Sequence, residues 1–279
     1  MSGPQVVTPE LRQWIVDQAA AGHSVPSVLE AMKASGWEEN VALAALEDTL
    51  AAEVARTQLA HKAVPEVVGE PGVSTVWAHD KWVKVLVKIK RPRIVVFGDF
   101  LSEQECEGLK AEASVRLARS ETVQTATGGS EVNEARTSQG MFFQRGESEL
   151  CQRIEARIAA LVNWPVENGE GIQVLRYAPG AEYKAHYDYF DPSQPGTAAI
   201  LRRGGQRVGT LVMYLNTPEQ GGATVFPDVD IDVHAVQGNA VFFAYGIPSP
   251  TTLTLHGGAP VLKGEKWVAT KWMRENRFE

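Results

Sequence analysis

The chain has 279 residues, 44% hydrophobic and 22% charged, with a formal net charge of -7. That balance suits a folded protein with one large core and a smaller second one, and it argues against disorder of the whole chain. It offers no broad positive field for a nucleic-acid backbone or an anionic membrane surface, so neither is expected as a partner.

The elements expected in chain order begin with helices. Thr8 can cap a helix with Pro9 in its first turn and Leu11, Trp14, Ile15 and Ala19 on one apolar face. A second helix is expected from about Val25 to Ala34, stopped by Gly36, and a third from near Glu38 carrying Leu43, Leu46, Leu50 and Val54. Residues 1–62 therefore read as a small three-helix bundle. The segment "KAVPEVVGEPGVST" gathers Pro65, Gly69, Pro71 and Gly72, so 63–79 is expected as a linker to a main domain at 80–279.

Beyond it the period changes. "KWVKVLVKIKRPRIVVF" alternates Val83, Val85, Val87 and Ile89 with lysines, as a half-buried strand does. Ser102 and Glu105 form a capping box for a helix reaching about Arg119, and another helix is expected over about 147–162. From Gly171 onward short strands are broken by turn residues: "IQVLRY", "KAHYDYF", "RVGTLVMYLN", "ATVF", "NAVFFAY", "TLTLH" and "KWVATKWMR". Such a run indicates a sandwich, barrel or jelly roll. Two long loops, Ser120–Ala135 and Asp191–Gln206, are expected as mobile lids. Cys106 and Cys151 are too few and too far apart for a disulfide scaffold or a CxxC site, and are expected as reduced packing residues.

One stretch carries chemistry. In "YAPGAEYKAHYDYFDP", His186 and Asp188 are two apart, so they project together from a strand, or Asp188 turns in from its end. A later strand, "LTLHGGAPV", offers His256. Two imidazoles and one carboxylate form the facial triad typical of non-haem Fe(II), which leaves three coordination positions open. HxD alone is a weak signal, with a surface histidine and a turn-forming aspartate as the bland alternative. Ten positions after His256, Lys266 sits in the apolar run "KGEKWVATKW", where an ammonium is costly unless it meets an anion. The alternative for it is an outward-facing charge of the kind expected for Lys271.

The ordered blocks "RTSQGMF", "IQVLRYAPGAEYKAHYDYF", "GGQRVGTLVMYLNTPEQGGATVFP" and "LHGGAPVLKGEKWVATKW", spanning about Arg136 to Arg274, resemble the catalytic domain of the prolyl 4-hydroxylases, in particular the collagen, plant and alga type and its bacterial relatives. The resemblance implies an α+β chain whose double-stranded β-helix (jelly-roll) core is flanked by helices. It implies Fe(II), 2-oxoglutarate and O₂ as cofactor and cosubstrates, ascorbate as a candidate reductant, and hydroxylation of a prolyl residue in a peptide or protein, giving succinate and CO₂. Carried over by residue, His186, Asp188 and His256 hold the iron and Lys266 grips the far carboxylate of 2-oxoglutarate. Tyr177 hydrogen-bonds the cosubstrate, and Thr210 and Thr224 are further hydroxyls for it, with plain strand packing as their alternative. Arg136 and Trp272 line the substrate groove, though Trp272 suits a core equally well. The chain departs from relatives in "SPTTLTLHGGAP", where an aspartate-containing turn and, at Ala259, a cysteine are more usual; this leaves substrate preference open.

Three readings compete with peptidyl-proline hydroxylation: a hydroxylase of a free amino acid or other small molecule, a non-catalytic jelly-roll binding protein, and a zinc hydrolase, for which no extra general base is evident. The bundle resembles ubiquitin-associated three-helix modules, which implies a protein partner or a structural appendage. With no basic and apolar leader at the N-terminus and no run near the roughly 18 apolar residues of a membrane span, a cytoplasmic protein away from membranes is expected.

Overall fold

A computed structural model describes residues 5–59, 64–69, 72–119, 122–124, 129–131 and 137–279, with the backbone alone for 53–59, 122–124 and 129–131. The chain divides into two compact units, Met1–Lys62 and Ala63–Glu279.

The first unit is three helices: α1 (Pro9–Ala20), α2 (Val25–Ala34) and α3 (Glu39–Leu59). The Thr8 hydroxyl accepts from the Leu11 N–H and the Ser24 hydroxyl from that of Ser27, so each of the first two helices has a side-chain cap. Ile15, Val28, Met32, Ala42, Ala45 and Leu46 fill a small core. Leu43, expected on the apolar face of α3, is 40% exposed; alanines at 42 and 45 take the buried positions beside Leu46.

Of the span 63–79 expected as a linker, the described residues 64–69 and 72–79 belong to the second unit. The Glu66 and Val68 N–H groups donate to the Val162 and Leu161 carbonyls, and β1 (Thr75–Ala78) is already a strand. It pairs with β2 (Lys81–Ile89), which pairs with β3 (Arg93–Gly98). The alternation read in β2 fails past Val85: a bulge inserts Leu86, after which Leu86 and Val87 are both about half exposed. Helix α4 (Glu103–Ser114) carries the expected capping box, both halves of which form, but it ends five residues early. The chain continues into the edge strand β4 (Ala118–Arg119). The lid expected at Ser120–Ala135 lies outside the described residues except for two short paired backbone segments, 122–124 and 129–131.

After β5 (Gln139–Phe142), helix α5 (Glu149–Val162) lays Cys151, Ile154, Ile158, Leu161 and Val162 against the core. Buried Arg157 on α5 bonds bidentately to Asp80 beyond β1 and also to Glu105 on α4, tying the helix layer to the hairpin. Both cysteines are free and buried. Burial pushes the Cys106 thiol up to about 11 and raises that of Cys151, so both behave as apolar packing.

Eight further strands divide between two sheets. They are β6 (Gln173–Tyr177), β7 (Tyr183–His186), β8 (Arg207–Tyr214), β9 (Thr224–Phe226), β10 (Ile231–Val233), β11 (Ala240–Ala244), β12 (His256–Gly258) and β13 (Lys266–Arg274). The large sheet runs β1-β2-β3-β11-β8-β13-β6-β5-β4 and the small one β10-β9-β12-β7, with antiparallel pairing throughout. This is the double-stranded β-helix, with helices on the outer face of the large sheet. One core lies between the large sheet and the helices, and a second, with Leu175, Val212, Tyr214, Phe226, Phe243 and Val268, between the sheets.

Strand β13 is buried along its whole length, and period two divides it. Trp267, Ala269 and Met273 enter the helix-side core, whereas Lys266, Val268, Thr270 and Trp272 face the small sheet. The expected lid at Asp191–Gln206 is a turn and a short helix, α6 (Thr197–Leu201), fastened where Gln206 bonds both the N–H and the carbonyl of Phe190. Among the described residues, no helix is long and apolar enough to cross a membrane.

Candidate active site

The site lies between the sheets, in a cleft whose lining includes Tyr177, His186, Asp188, Thr210, Thr224, His256, Lys266 and Trp272. Sequence reasoning placed all of these in the site. Arg136 lies outside the described residues.

Pairing brings the histidines together: His256 on β12 is directly opposite His186 on β7. The approach is close, since a Cβ on Gly257 would stand 2.8 Å from the Tyr183 carbonyl oxygen, so the residue after His256 must be small. The strand read as "TLTLH" is mostly a turn, with a 3₁₀ segment at Pro250–Thr252 and Leu253 at φ 55; only His256–Gly258 pairs. Likewise β7 stops at His186, and Asp188 enters from beyond the strand's end. Its carboxylate lies between the rings, Oδ1 3.5 Å from His186 Nε2 and Oδ2 3.5 Å from His256 Nε2. One donor atom from each of the three fits within 4.8 Å.

The backbone sets the imidazole tautomers. His186 Nδ1 is 2.9 Å from the Lys184 carbonyl and His256 Nδ1 is 3.0 Å from that of Thr254. A carbonyl only accepts, so both Nδ1 atoms carry hydrogen and both Nε2 lone pairs face Asp188. Tyr183 stacks on His186 at 3.8 Å, and Phe243 flanks His256 at 4.5 Å. Burial lowers His256 to about 4 against the opposing pull of Asp188, which keeps that ring neutral and able to ligate at neutral pH. Burial alone would raise the Asp188 carboxyl; the His256 and His186 rings outweigh it and hold the group well below the usual carboxylate range.

Lys266 opens β13 opposite Tyr177 on β6. It is only 4% exposed, and among the described residues its ammonium has neither a counter-ion nor a hydrogen bond, only the faces of Tyr177 and Tyr214 at 5.7 and 5.8 Å. Burial lowers it to about 8. A buried cation left in this state is complementary to an anion entering the cleft. Thr224 stands ready to assist: Tyr214 donates to its Oγ1 at 2.9 Å, which leaves the Thr224 O–H free to donate inward. Thr210 turns elsewhere, donating to Asp188 Oδ2 at 2.7 Å with Tyr245 2.8 Å behind it.

Trp272 pairs in register with Thr210 and is both core and cleft wall. The Arg207 guanidinium lies 4.0 Å from its ring centroid, and its buried indole N–H has no partner among the described residues. Arg207 is itself held by Glu170 at 2.7 and 2.9 Å. Sequence reasoning missed Tyr214, Tyr245 and Arg207. Tyr214 had a readable signal, since positions 210, 212 and 214 share one face of β8; Tyr245 and Arg207 act through contacts distant in sequence.

The donor set fits a borderline divalent metal such as Fe(II), and the buried cation beside it fits a dicarboxylate chelated there. His186, Asp188 and His256 would hold the iron, and Lys266, Thr224 and Tyr177 the cosubstrate. Residues 172–274 match the model of the 2OG-Fe(II) oxygenase superfamily. Prolyl 4-hydroxylase 1 of Arabidopsis thaliana is 44% identical over 224 residues, covering 71% of this chain and 77% of the relative. Prolyl 4-hydroxylase 5 of the same plant is 38% identical over 221 residues, covering 72% and 74%. Among solved structures, the viral collagen prolyl hydroxylase of Paramecium bursaria Chlorella virus-1 in its 2-oxoglutarate complex is 30% identical, covers 65% of this chain and 95% of its own, and has a TM-score of 0.49.

Proposed function

The chain belongs to the prolyl 4-hydroxylase family of 2-oxoglutarate- and Fe(II)-dependent dioxygenases, and on that premise we propose that it hydroxylates a prolyl residue in a peptide or protein, releasing succinate and CO₂. The observation that carries the reading is the convergence, in one cleft, of a His186–Asp188–His256 donor set and the Lys266 ammonium, which meets no anion among the described residues. Four such groups together are what an oxygenase of this type needs and a simple binding module does not.

Bound iron supplies the activation of dioxygen. The chain's own residues do the rest. His186 and His256 present neutral lone pairs fixed by backbone carbonyls, and Asp188 brings the negative charge that offsets the metal. Lys266 and the Thr224 hydroxyl receive the distal carboxylate, orienting 2-oxoglutarate along the cleft. The ring of Trp272, held flat by Arg207, forms the wall against which the target residue lies, and its N–H offers that substrate a donor.

We infer a cytoplasmic setting, in keeping with two free buried thiols, and ascorbate as reductant on the family resemblance alone. The three-helix unit is proposed to recruit a protein partner, and the net charge of -7 supports no role with nucleic acid. The test is to measure succinate release and oxygen incorporation with proline-containing peptides and, separately, with free amino acids. Peptide-stimulated turnover with one oxygen gained on proline is expected. Turnover with free amino acids alone would favour the small-molecule reading, and metal binding without 2-oxoglutarate consumption would favour a binding protein.

A further inference from the structure

The three hydroxyl and carboxyl groups behind the donor set form a chain with one permitted proton order. Thr210 Oγ1 donates to Asp188 Oδ2 at 2.7 Å, which uses the threonine proton. The Tyr245 hydroxyl, 2.8 Å from the same Oγ1, must then be the donor to it. Tyr245 is 2% exposed and Thr210 fully buried, and burial raises the phenol well above its ordinary range, so it stays protonated. The order is Tyr245 to Thr210 to Asp188 Oδ2. Oδ1, on the His186 side of the carboxylate, receives no hydrogen bond from Thr210.

We propose that Thr210, backed by Tyr245, is a positioning residue that keeps Asp188 a one-oxygen ligand by engaging Oδ2, so that the metal retains the coordination positions that the 2-oxo acid and dioxygen require. The proposal rests on the reading of the donor set given above. A facial triad leaves three positions open only if the carboxylate takes one. A chelating acid and dioxygen together fill all three. A carboxylate free to bind through both oxygens would take one of them. A charge-assisted hydrogen bond draws charge from Oδ2 and fixes the plane of the carboxylate, and partners of this kind are known to set ligand orientation. Thr210 is thereby reassigned from cosubstrate binding, as the sequence suggested, to the support of a ligand. It lies at the start of the cleft-facing series on β8, paired with Trp272.

The experiment uses the full chain as wild type, Thr210→Val, Thr210→Ser and Tyr245→Phe, with thermal melts to confirm folding. Mn(II) affinity is measured by titration. 2-Oxoglutarate affinity is then measured anaerobically on the Fe(II)-loaded protein from the visible charge-transfer absorption of the chelate. For Thr210→Val, 2-oxoglutarate affinity on the metal-loaded protein should fall by about tenfold or more, the lower end of the range for loss of a ligand's supporting partner, with a changed absorption maximum and Mn(II) binding retained. Thr210→Ser should restore both. Tyr245→Phe should give a smaller loss in the same direction. Wild-type 2-oxoglutarate affinity and spectrum in Thr210→Val would overturn the proposal, as would a loss confined to Mn(II) affinity. If Thr210→Val does not fold, an unchanged Tyr245→Phe protein overturns it equally. Failure of the wild type to bind Mn(II) at all would instead sink the metal-site reading.

Discussion

Lys266 and Lys271 stand five residues apart on one buried strand, and because five is odd they face opposite sides of the sheet with opposite fates. Lys271 reaches the helix layer, where its ammonium meets the Glu155 carboxylate at 2.5 Å, both groups almost wholly buried. Lys266 faces the cleft and meets no anion among the described residues. Lys271, expected as an outward-facing charge, is thus an internal ion pair, because α5 covers the face it points to. The fold neutralises one lysine and leaves the other for a ligand.

Replacing Lys266 by Met should therefore separate stability from function. With the folded group at about 8 and its ordinary value at 10.5, the unfolded chain binds more protons between those values. Wild-type stability accordingly rises with pH through that window, and the penalty is fully present below about pH 8. Lys266→Met removes a penalty of about 3 kcal/mol, since a tenfold change in proton affinity corresponds to about 1.4 kcal/mol. Thermal melts of ligand-free protein at pH 7 should show the variant more stable than wild type, while 2-oxoglutarate titration shows binding largely lost.

The same lysine sets a pH dependence. Only the ammonium form attracts a carboxylate, so 2-oxoglutarate affinity should decline as pH rises through about 8, and saturating cosubstrate should move the inflection upward. Titrations from about pH 6.5 to about pH 9.5, a range set around that value, would show this. A flat profile would mean that Lys266 does not carry the contact.

Lys271→Met should behave in the opposite way, stranding the buried Glu155 carboxylate at a cost of about 3–5 kcal/mol. Adding Glu155→Leu should recover a large part of that loss. Denaturant unfolding of the single and double variants measures both, and equal stabilities would show that the pair is not coupled.

His256→Ala and His186→Ala should each abolish 2-oxoglutarate turnover, and chelator treatment of the wild type should do the same until Fe(II) is restored. Succinate formation is the readout. Persistence of turnover in either variant would remove that histidine from the metal site.

Trp272→Phe keeps a ring for Arg207 to cover but removes the indole N–H. Peptide KM should rise several-fold, about the effect of one lost hydrogen bond of ~1 kcal/mol, with 2-oxoglutarate affinity unchanged. An effect on the cosubstrate alone would move Trp272 from the substrate wall to the cosubstrate pocket.

Much of the site was legible in sequence because its chemistry is carried by residue types that are costly elsewhere. A histidine beside an aspartate, a histidine before two glycines and a lysine within an apolar strand each require a reason, and the ordered blocks around them supply the family. Two helix starts were legible for a similar cause: Thr8 and Ser102 bond backbone within three residues, so the signal is local.

What only the tertiary structure decided are relationships between residues far apart in the chain. The bulge at Leu86, the end of β7 at His186 and the turn before His256 all break patterns that alternate cleanly on paper, because pairing partners and not side-chain period set where a ladder stops. Whether a buried lysine is paired depends on which helix covers its face, and nothing near Lys271 in sequence announces Glu155, 116 positions away. Thr210 is the clearest case: its hydroxyl was read as serving a ligand, yet a tyrosine 35 residues later and an aspartate 22 earlier claim it. Residue type fixes which chemistry a position can perform; only packing fixes which neighbour receives it.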